Sequence, residues 1–260
     1  MPPADYNPQA FIKKLGKIDH SKSDRDKFRD FMEMAYCAYA KLTAPNRERA
    51  DALEERYMRV VNTYRDKNDV RKYPELLEMV GEGIKDDRDY LGEVSGLIGN
   101  LNSEQGQFFT PMSVSRMLAM MTLGDLKPQI EAHGYISMSE PTVGAGCIVL
   151  ATARVLKEQG FNQNIHMFVH AADVSNLAYQ MCFLQLSMAG IPAYVERANS
   201  LSLEHFEGAW TLPAVHNFRP YHGHLHYDKP ERSINALPEE IESDRPLEDA
   251  PERLRQLHLF

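Results

Sequence analysis

A strand, a glycine-rich turn and a helix follow one another between residues 135 and 156, and this succession constrains the fold more than any other part of the chain. The strand candidate is YISMS (135–139), the turn is EPTVGAGC (140–147), and an apolar run at helical spacing follows (148–156). Glycines let a backbone approach a ligand, and a helix N-terminus directs free N–H groups towards it. The pattern therefore predicts a nucleotide-binding crevice.

Strands and helices alternate on both sides of this turn. Further strands are predicted at 165–172 and 193–196, and helices at 112–123, 146–158 and 174–189. Such alternation predicts a parallel sheet with right-handed crossover connections. Asp173 ends the second of these strands, where an acidic residue commonly holds a ribose in folds of this class.

The first hundred residues carry helical periodicity only. We expect a proline-marked extended arm over 1–22 and helices near 24–41, 45–64, 74–84 and 87–98, with Ser23 as the N-cap of the first helix. The predicted organisation is an N-terminal helical domain (1–100), a shortened Rossmann-like α/β domain (101–227) and an acidic flexible tail (228–260).

Signals weaken after Leu201. Short strands are predicted at 206–210 and 214–218, and a polar edge strand at 222–226, where His222, His224 and His226 alternate. With His216 nearby, these imidazoles could instead ligate a metal ion, because alternate strand residues face one side. No cysteine or paired carboxylate joins them in sequence, so we predict the edge strand and no metal site.

Composition narrows the function further. The net charge is −8 and no basic stripe is present, so contact with a nucleic acid would need a local patch or a partner subunit. The three cysteines, Cys37, Cys147 and Cys182, are widely spaced, which favours free thiols in a cytoplasmic protein. No apolar run is long enough for a membrane span, and the N-terminal stretch lacks the apolar core of a signal peptide.

Two motifs in one order carry a resemblance to a known family. GQFFTP (106–111) resembles the motif before the first strand of adenine-specific DNA methyltransferases of the type I restriction-modification kind. EPTVGAGC (140–147) is similar to that family's S-adenosylmethionine loop. The resemblance covers roughly residues 86–202. It implies a Rossmann-like S-adenosylmethionine-dependent methyltransferase domain after a helical domain, with DNA as substrate and a specificity or other protein subunit as a further partner.

The resemblance also implies roles for individual residues. The methionine end of the cofactor would be lined by Phe108, Phe109, Thr110 and Pro111. The turn beneath it would be formed by Glu140, Pro141, Gly144 and Gly146. Asp173 would accept hydrogen bonds from the ribose hydroxyls, and Asn199 stands where the family has an acid that contacts the adenine amine.

The chain departs from the family at the catalytic loop. An Asn/Asp-Pro-Pro-Tyr/Phe loop accepts the protons of the target amine in that family, and the one Pro-Pro pair here is Pro2-Pro3. Trp210 and Pro213 lie at a comparable distance along the chain and are the available catalytic candidates. Three functions stay open: a DNA adenine-N6 methyltransferase, a non-catalytic regulatory or anti-restriction relative, and a small-molecule methyltransferase, against which the GQFFTP motif argues.

Overall fold

The computed structural model describes residues 6–99 and 110–225. Its α-helices are α1 Pro8–Leu15, α2 Asp24–Lys41, α3 Arg47–Thr63, α4 Lys67–Val70, α5 Tyr73–Gly83, α6 Tyr90–Ile98, α7 Met112–Leu123, α8 Lys127–His133, α9 Cys147–Glu158, α10 Gln163–His166, α11 Asn176–Met188 and α12 Arg219–His222. Its strands are β1 Ile136–Glu140, β2 Met167–Asp173, β3 Ala193–Asn199 and β4 Glu204–Trp210. Within those ranges, no helix is both long and apolar enough to cross a membrane.

Side chains that accept hydrogen bonds from backbone N–H groups cap the first turns of the N-terminal helices. The Ser23 hydroxyl accepts a hydrogen bond from the Asp26 N–H and begins α2 as predicted, and Asn46 begins α3 by accepting one from the Arg49 N–H. The prediction of an extended arm over 1–22 was wrong for residues 6–22, and residues 1–5 lie outside the described residues. Asn7 caps α1, and the side chain of Phe11 in that helix is fully buried. The apolar residues of this polar stretch therefore lie on one face of a helix that packs on the core.

The sheet has the strand order β1-β2-β3-β4. Strands β1, β2 and β3 are parallel, as the alternating pattern predicted, and α9 and α11 are the helices of the two crossovers. Strand β4 is antiparallel to β3, with a register irregularity between Arg197 and Ala198. The carboxyl ends of β1–β3 therefore lie at the same end of the sheet, and the carboxyl end of β4 lies at the opposite end.

Two predictions for the region after β4 were wrong. Residues 214–218 form a π-helical turn from Ala214 to Phe218, and the chain then continues into α12 rather than into an edge strand. Pro213 before the turn and Pro220 at the start of α12 cannot donate to a strand ladder but suit helix starts. Gly223, at φ +78°, ends α12. Of the predicted edge strand, His226 lies outside the described residues.

The helical N-terminal region and the sheet share buried contacts. Helix α2 packs on α11, where the hydroxyls of Tyr36 and Tyr179 lie 2.6 Å apart in the core. The core between α9, α11 and the sheet is apolar and includes Val169 and Phe183. The described residues, 6–99 and 110–225, belong to one compact unit. The predicted domain boundary at residue 100 falls within that unit, in a stretch outside the described residues, and stays a prediction, as does the tail over 228–260.

Candidate functional site

The glycine-rich turn leads from β1 into α9 as predicted. Gly144 and Gly146 have φ angles of +59° and +103°, values that residues with a side chain rarely adopt. The Val143 N–H donates to the Ala172 carbonyl across 2.9 Å, which ties the turn to β2. Gly146 supplies no side chain to cap α9, and no other described residue caps it through a side chain, so the first N–H groups of this 12-residue helix suit an acceptor from outside.

Asp173 sits at the end of β2 and holds the turn from the side. One carboxylate oxygen accepts a hydrogen bond from the Gly144 N–H at 2.9 Å. The other accepts from the Ser175 N–H at 2.8 Å, before α11 begins. The side chain is half-buried, and each oxygen keeps a second lone pair. The carboxylate can therefore fix the turn and still accept hydrogen bonds from a ligand.

The loops after β1 and β3 lie against each other. The Ser200 hydroxyl donates to the Pro141 carbonyl across 2.6 Å. One oxygen of Glu140 accepts from the N–H and the hydroxyl of Thr142. The side-chain oxygen of Asn199 accepts from two backbone N–H groups of its own loop, at 3.0 and 3.2 Å. In this arrangement the Asn199 oxygen is committed to the loop and is not free to accept from an adenine amine.

The two sequence motifs meet at the start of α9. The Cys147 thiol donates to the Thr110 carbonyl at 3.2 Å, and the Ser115 hydroxyl of α7 donates to the Cys147 sulfur at 3.3 Å. Thr110 and Pro111 themselves are exposed. Burial raises the pKa of the Cys147 thiol to about 11, with the charges of Asp89 and Glu93 adding to the effect. The thiol is therefore protonated at neutral pH and serves as a hydrogen-bonding link between the motifs.

Asp89 was given no role in the site by the sequence analysis. This side chain is 5% exposed and caps α6 through Oδ1, which accepts from the Gly92 N–H at 3.0 Å. Gln185 of α11 donates to the same oxygen at 2.9 Å and to the Ala145 carbonyl at 2.7 Å. The signal for this network in the sequence is Gln185 itself, one of two glutamines in the largely apolar helix α11. The Gln185 amide thereby links a second carboxylate to the glycine-rich turn at Ala145.

The catalytic candidates lie elsewhere. Trp210 pairs in register with Tyr194 near the start of β3. It therefore lies at the end of the sheet opposite the glycine-rich turn. Its ring packs on Tyr194, with ring centroids 4.8 Å apart, and Pro213 follows at the beginning of the π-helical turn. The geometry does not bring either residue to Asp173. Phe108 and Phe109 lie outside the described residues.

The histidines of the last described segment do not converge. His222 hydrogen-bonds to the Ile165 carbonyl through Nε2 at 2.7 Å and packs on Phe218. Within residues 6–99 and 110–225, no three histidine, cysteine or acidic side chains are grouped so that they could hold a metal ion.

With this geometry in place, comparison with known proteins identifies the family. The model of the family described as N-6 DNA methylase matches residues 86–242, which is more than half of the 260-residue chain. The chain belongs to the N-6 DNA methylase family. The match includes α6, the GQFFTP motif, the glycine-rich turn and Asp173, so the network of Asp89 and Gln185 lies within the family region.

A solved structure also resembles the chain. It is a protein of Listeria monocytogenes described as a class I S-adenosylmethionine-dependent methyltransferase, with 14% sequence identity and a TM-score of 0.33. The similarity covers 73% of this chain and 52% of that one, so the chain spans about half the length of the structure it matches. No curated protein matches the chain significantly.

Proposed function

We propose that the carboxyl ends of β1–β3 bind S-adenosylmethionine, and that the chain is the cofactor-binding part of a DNA adenine-N6 methyltransferase of the restriction-modification type. The observation that carries the proposal is the hydrogen bond from the Gly144 N–H to Asp173. It fixes a positive-φ turn at the open N-terminus of α9, where Thr110 of the other motif also meets Cys147. Family membership supports DNA adenine as the substrate.

Different residues of the crevice bind different parts of the cofactor. Asp173 accepts hydrogen bonds from the ribose hydroxyls through its remaining lone pairs. The turn at Gly144 and Gly146 lets the backbone approach closely, and Thr110 and Pro111 line the side towards the methionine end. Glu140 and Pro141 hold the shape of the turn, and Asn199 does the same for the facing loop. When bound, the cofactor supplies the activated methyl group.

Methyl transfer to adenine needs a hydrogen-bond acceptor for the protons of the exocyclic amine, because its lone pair is delocalised into the ring. The sequence has no Asn/Asp-Pro-Pro-Tyr/Phe loop, and Trp210 lies at the end of the sheet opposite the crevice. We therefore propose that a second polypeptide, such as a specificity subunit, supplies the acceptor and the contacts to DNA. The three free thiols, all buried, fit action in the cytoplasm.

A second candidate is a non-catalytic regulatory relative that binds the cofactor or a partner without transferring the methyl group. The same missing acceptor favours it. Antiparallel β4 also favours it, because it follows β3 and directs its carboxyl end away from the crevice.

The test uses the full chain with methyl-labelled S-adenosylmethionine and adenine-containing duplex DNA. Equilibrium dialysis measures label bound to the protein, and digestion of the DNA measures label in N6-methyladenine. We expect bound label that unlabelled S-adenosylhomocysteine displaces, and none in DNA until a partner is added. Label in DNA from the chain alone would contradict the need for a second polypeptide. Absence of bound label would contradict the proposed function itself.

A further inference from the structure

One buried glutamine joins three elements of the fold. Gln185 lies in α11 and is fully buried. Its side-chain oxygen accepts a hydrogen bond from the Leu91 N–H at 3.0 Å. Its amide nitrogen donates to Oδ1 of Asp89 at 2.9 Å and to the Ala145 carbonyl at 2.7 Å. The oxygen and both N–H donors of the amide are therefore engaged, by α6 on one side and by the glycine-rich turn on the other.

These partners fix the orientation of the amide. An amide nitrogen cannot accept from the Leu91 N–H, and an amide oxygen cannot donate to the Ala145 carbonyl. Exchanging the oxygen and the nitrogen of Gln185 would therefore lose both hydrogen bonds. Because the side chain has one favourable orientation, a single planar amide sets the spacing between α6 and the turn.

Ala145 is the residue of the turn that belongs to the N-terminal core. Its side chain is 1% exposed and lies in the same apolar cluster as Leu91 and Val94 of α6. Val143 and Val149, on either side of it in sequence, belong instead to the cluster of the sheet. Apolar burial and the hydrogen bond from Gln185 are thus two independent interactions that tie Ala145 to the part of the core that contains α6.

The bond from Gln185 also determines which way one peptide group faces. The carbonyl of the Ala145–Gly146 peptide accepts from Gln185, and its N–H donates to the Val143 carbonyl at 3.0 Å. Gly146 has a φ of +103°, but a glycine adopts negative φ about as readily, so its own preference does not stop this peptide from rotating. Rotation would break both hydrogen bonds and alter the entry into α9.

We propose that Gln185 is a positioning residue of the proposed cofactor site. It acts through Ala145 rather than by contact with the ligand, and it holds the glycine-rich turn in the orientation that presents the N-terminus of α9. This inference rests on the proposed function. It makes α6, a helix that precedes both sequence motifs, part of the support of the site.

The test compares the two buried glutamines of α11. Gln180 is 2% exposed and, like Gln185, donates to a carboxylate of the N-terminal helices, that of Glu33 in α2. It makes no hydrogen bond to the described residues of the turn. Gln185→Met and Gln180→Met each replace a buried amide with an apolar side chain of similar size. For the full chain, mass spectrometry measures hydrogen exchange over residues 140–147, and calorimetry measures binding of S-adenosylmethionine.

Gln185→Met should exchange about threefold faster or more at 140–147 and should bind S-adenosylmethionine about tenfold more weakly, because the Ala145–Gly146 peptide is then free to rotate. Gln180→Met should keep both values within about twofold of the wild type. If thermal unfolding shows that Gln185→Met has not folded, Gln185→Asn takes its place, since this shorter amide stays polar but cannot span from Asp89 to Ala145.

Wild-type exchange or wild-type affinity in the Gln185 variant would overturn the inference and leave the proposed function intact. Equal losses in the Gln180 variant would do the same, because they would reflect lower stability rather than positioning. Absence of binding by the wild type would overturn the proposed function. In that case exchange over residues 140–147 decides separately whether Gln185 fixes the turn, and an unchanged rate in Gln185→Met would overturn the inference as well.

Discussion

Two parts of the sheet use charged side chains in opposite ways. At the β4 edge, Glu207 accepts from Arg49 at 3.1 Å and Arg56 at 2.7 Å, and Arg56 also binds Glu33, so charges are paired side chain to side chain. Around the glycine-rich turn after β1, Asp173 at the end of β2 and Asp89 at the start of α6 accept from backbone N–H groups and an amide instead. The first region fastens α2 and α3 to the sheet. The second shapes the glycine-rich turn, and each carboxylate oxygen of Asp173 keeps a second lone pair.

The largest effect on stability is expected from Glu207→Ala. It removes the shared acceptor and leaves two arginines whose side chains are 18% and 29% exposed without it. Breaking a buried ion pair costs several kcal/mol, and partial exposure reduces this to about 2–3 kcal/mol. Urea unfolding measures the loss. Glu204→Ala, an exposed position on the same strand, should change the free energy of unfolding by less than about 0.5 kcal/mol. Equal effects of the two changes would mean that the β4 network does not fasten the helices.

A smaller effect on stability is expected from Gly146→Ala. The φ angle of +103° makes a side chain unfavourable, at a cost of about 1–2 kcal/mol, and the nearest atom to the new Cβ, Cys182 Sγ, lies at a tolerable 3.5 Å. Gly160→Ala is matched to it, with φ +86° and open space around the position. Thermal unfolding should report similar losses for both. Binding of S-adenosylmethionine should weaken for Gly146→Ala alone. Equal weakening in both variants would mean that the glycine-rich turn does not contact the ligand.

The smallest effect is the pH dependence of the β4 network. Burial would raise the pKa of Glu207, but the charges and hydrogen bonds of Arg56 and Arg49 outweigh it and hold the pKa below its ordinary value of 4.5. A lowered pKa in the folded state means that the stabilisation is complete above the ordinary value and is lost as the pH falls below it. The difference in unfolding free energy between wild type and Glu207→Gln should be constant from pH 8 to 5 and shrink below pH 4.5. A difference that grows on acidification would contradict the network.

Local patterns predicted the parts of the fold that local chemistry determines. Ser23 caps α2, the glycine-rich turn joins β1 to α9, and Asp173 ends β2, because each depends on neighbours within a few residues. The tertiary links were not predictable in this way. Glu207 meets Arg56 across 151 positions, and Gln185 meets Asp89 across 96, so neither pair leaves a periodic trace.

Errors arose where polar residues concealed packing. The region before Ser23 was predicted to be an arm because it is polar and proline-marked, although the Phe11 side chain is buried among Phe28, Phe31 and Tyr90. The alternating histidines after residue 221 suggested a strand, but a proline at a helix start and Gly223 at a positive φ outweigh alternation. Two-residue periodicity over five positions is weak when the flanking residues favour a helical turn.

The most direct measurement is calorimetric titration of S-adenosylmethionine into the wild type, Asp173→Ala and Glu207→Gln. If the crevice binds the cofactor and the β4 network only fastens the fold, the wild type binds with a dissociation constant on the order of 1–10 μM. Asp173→Ala weakens binding by tenfold or more, about 1.4 kcal/mol, and Glu207→Gln, although less stable, binds like the wild type. No binding by the wild type, or equal binding by Asp173→Ala, would contradict a cofactor site at the carboxyl ends of β1–β3.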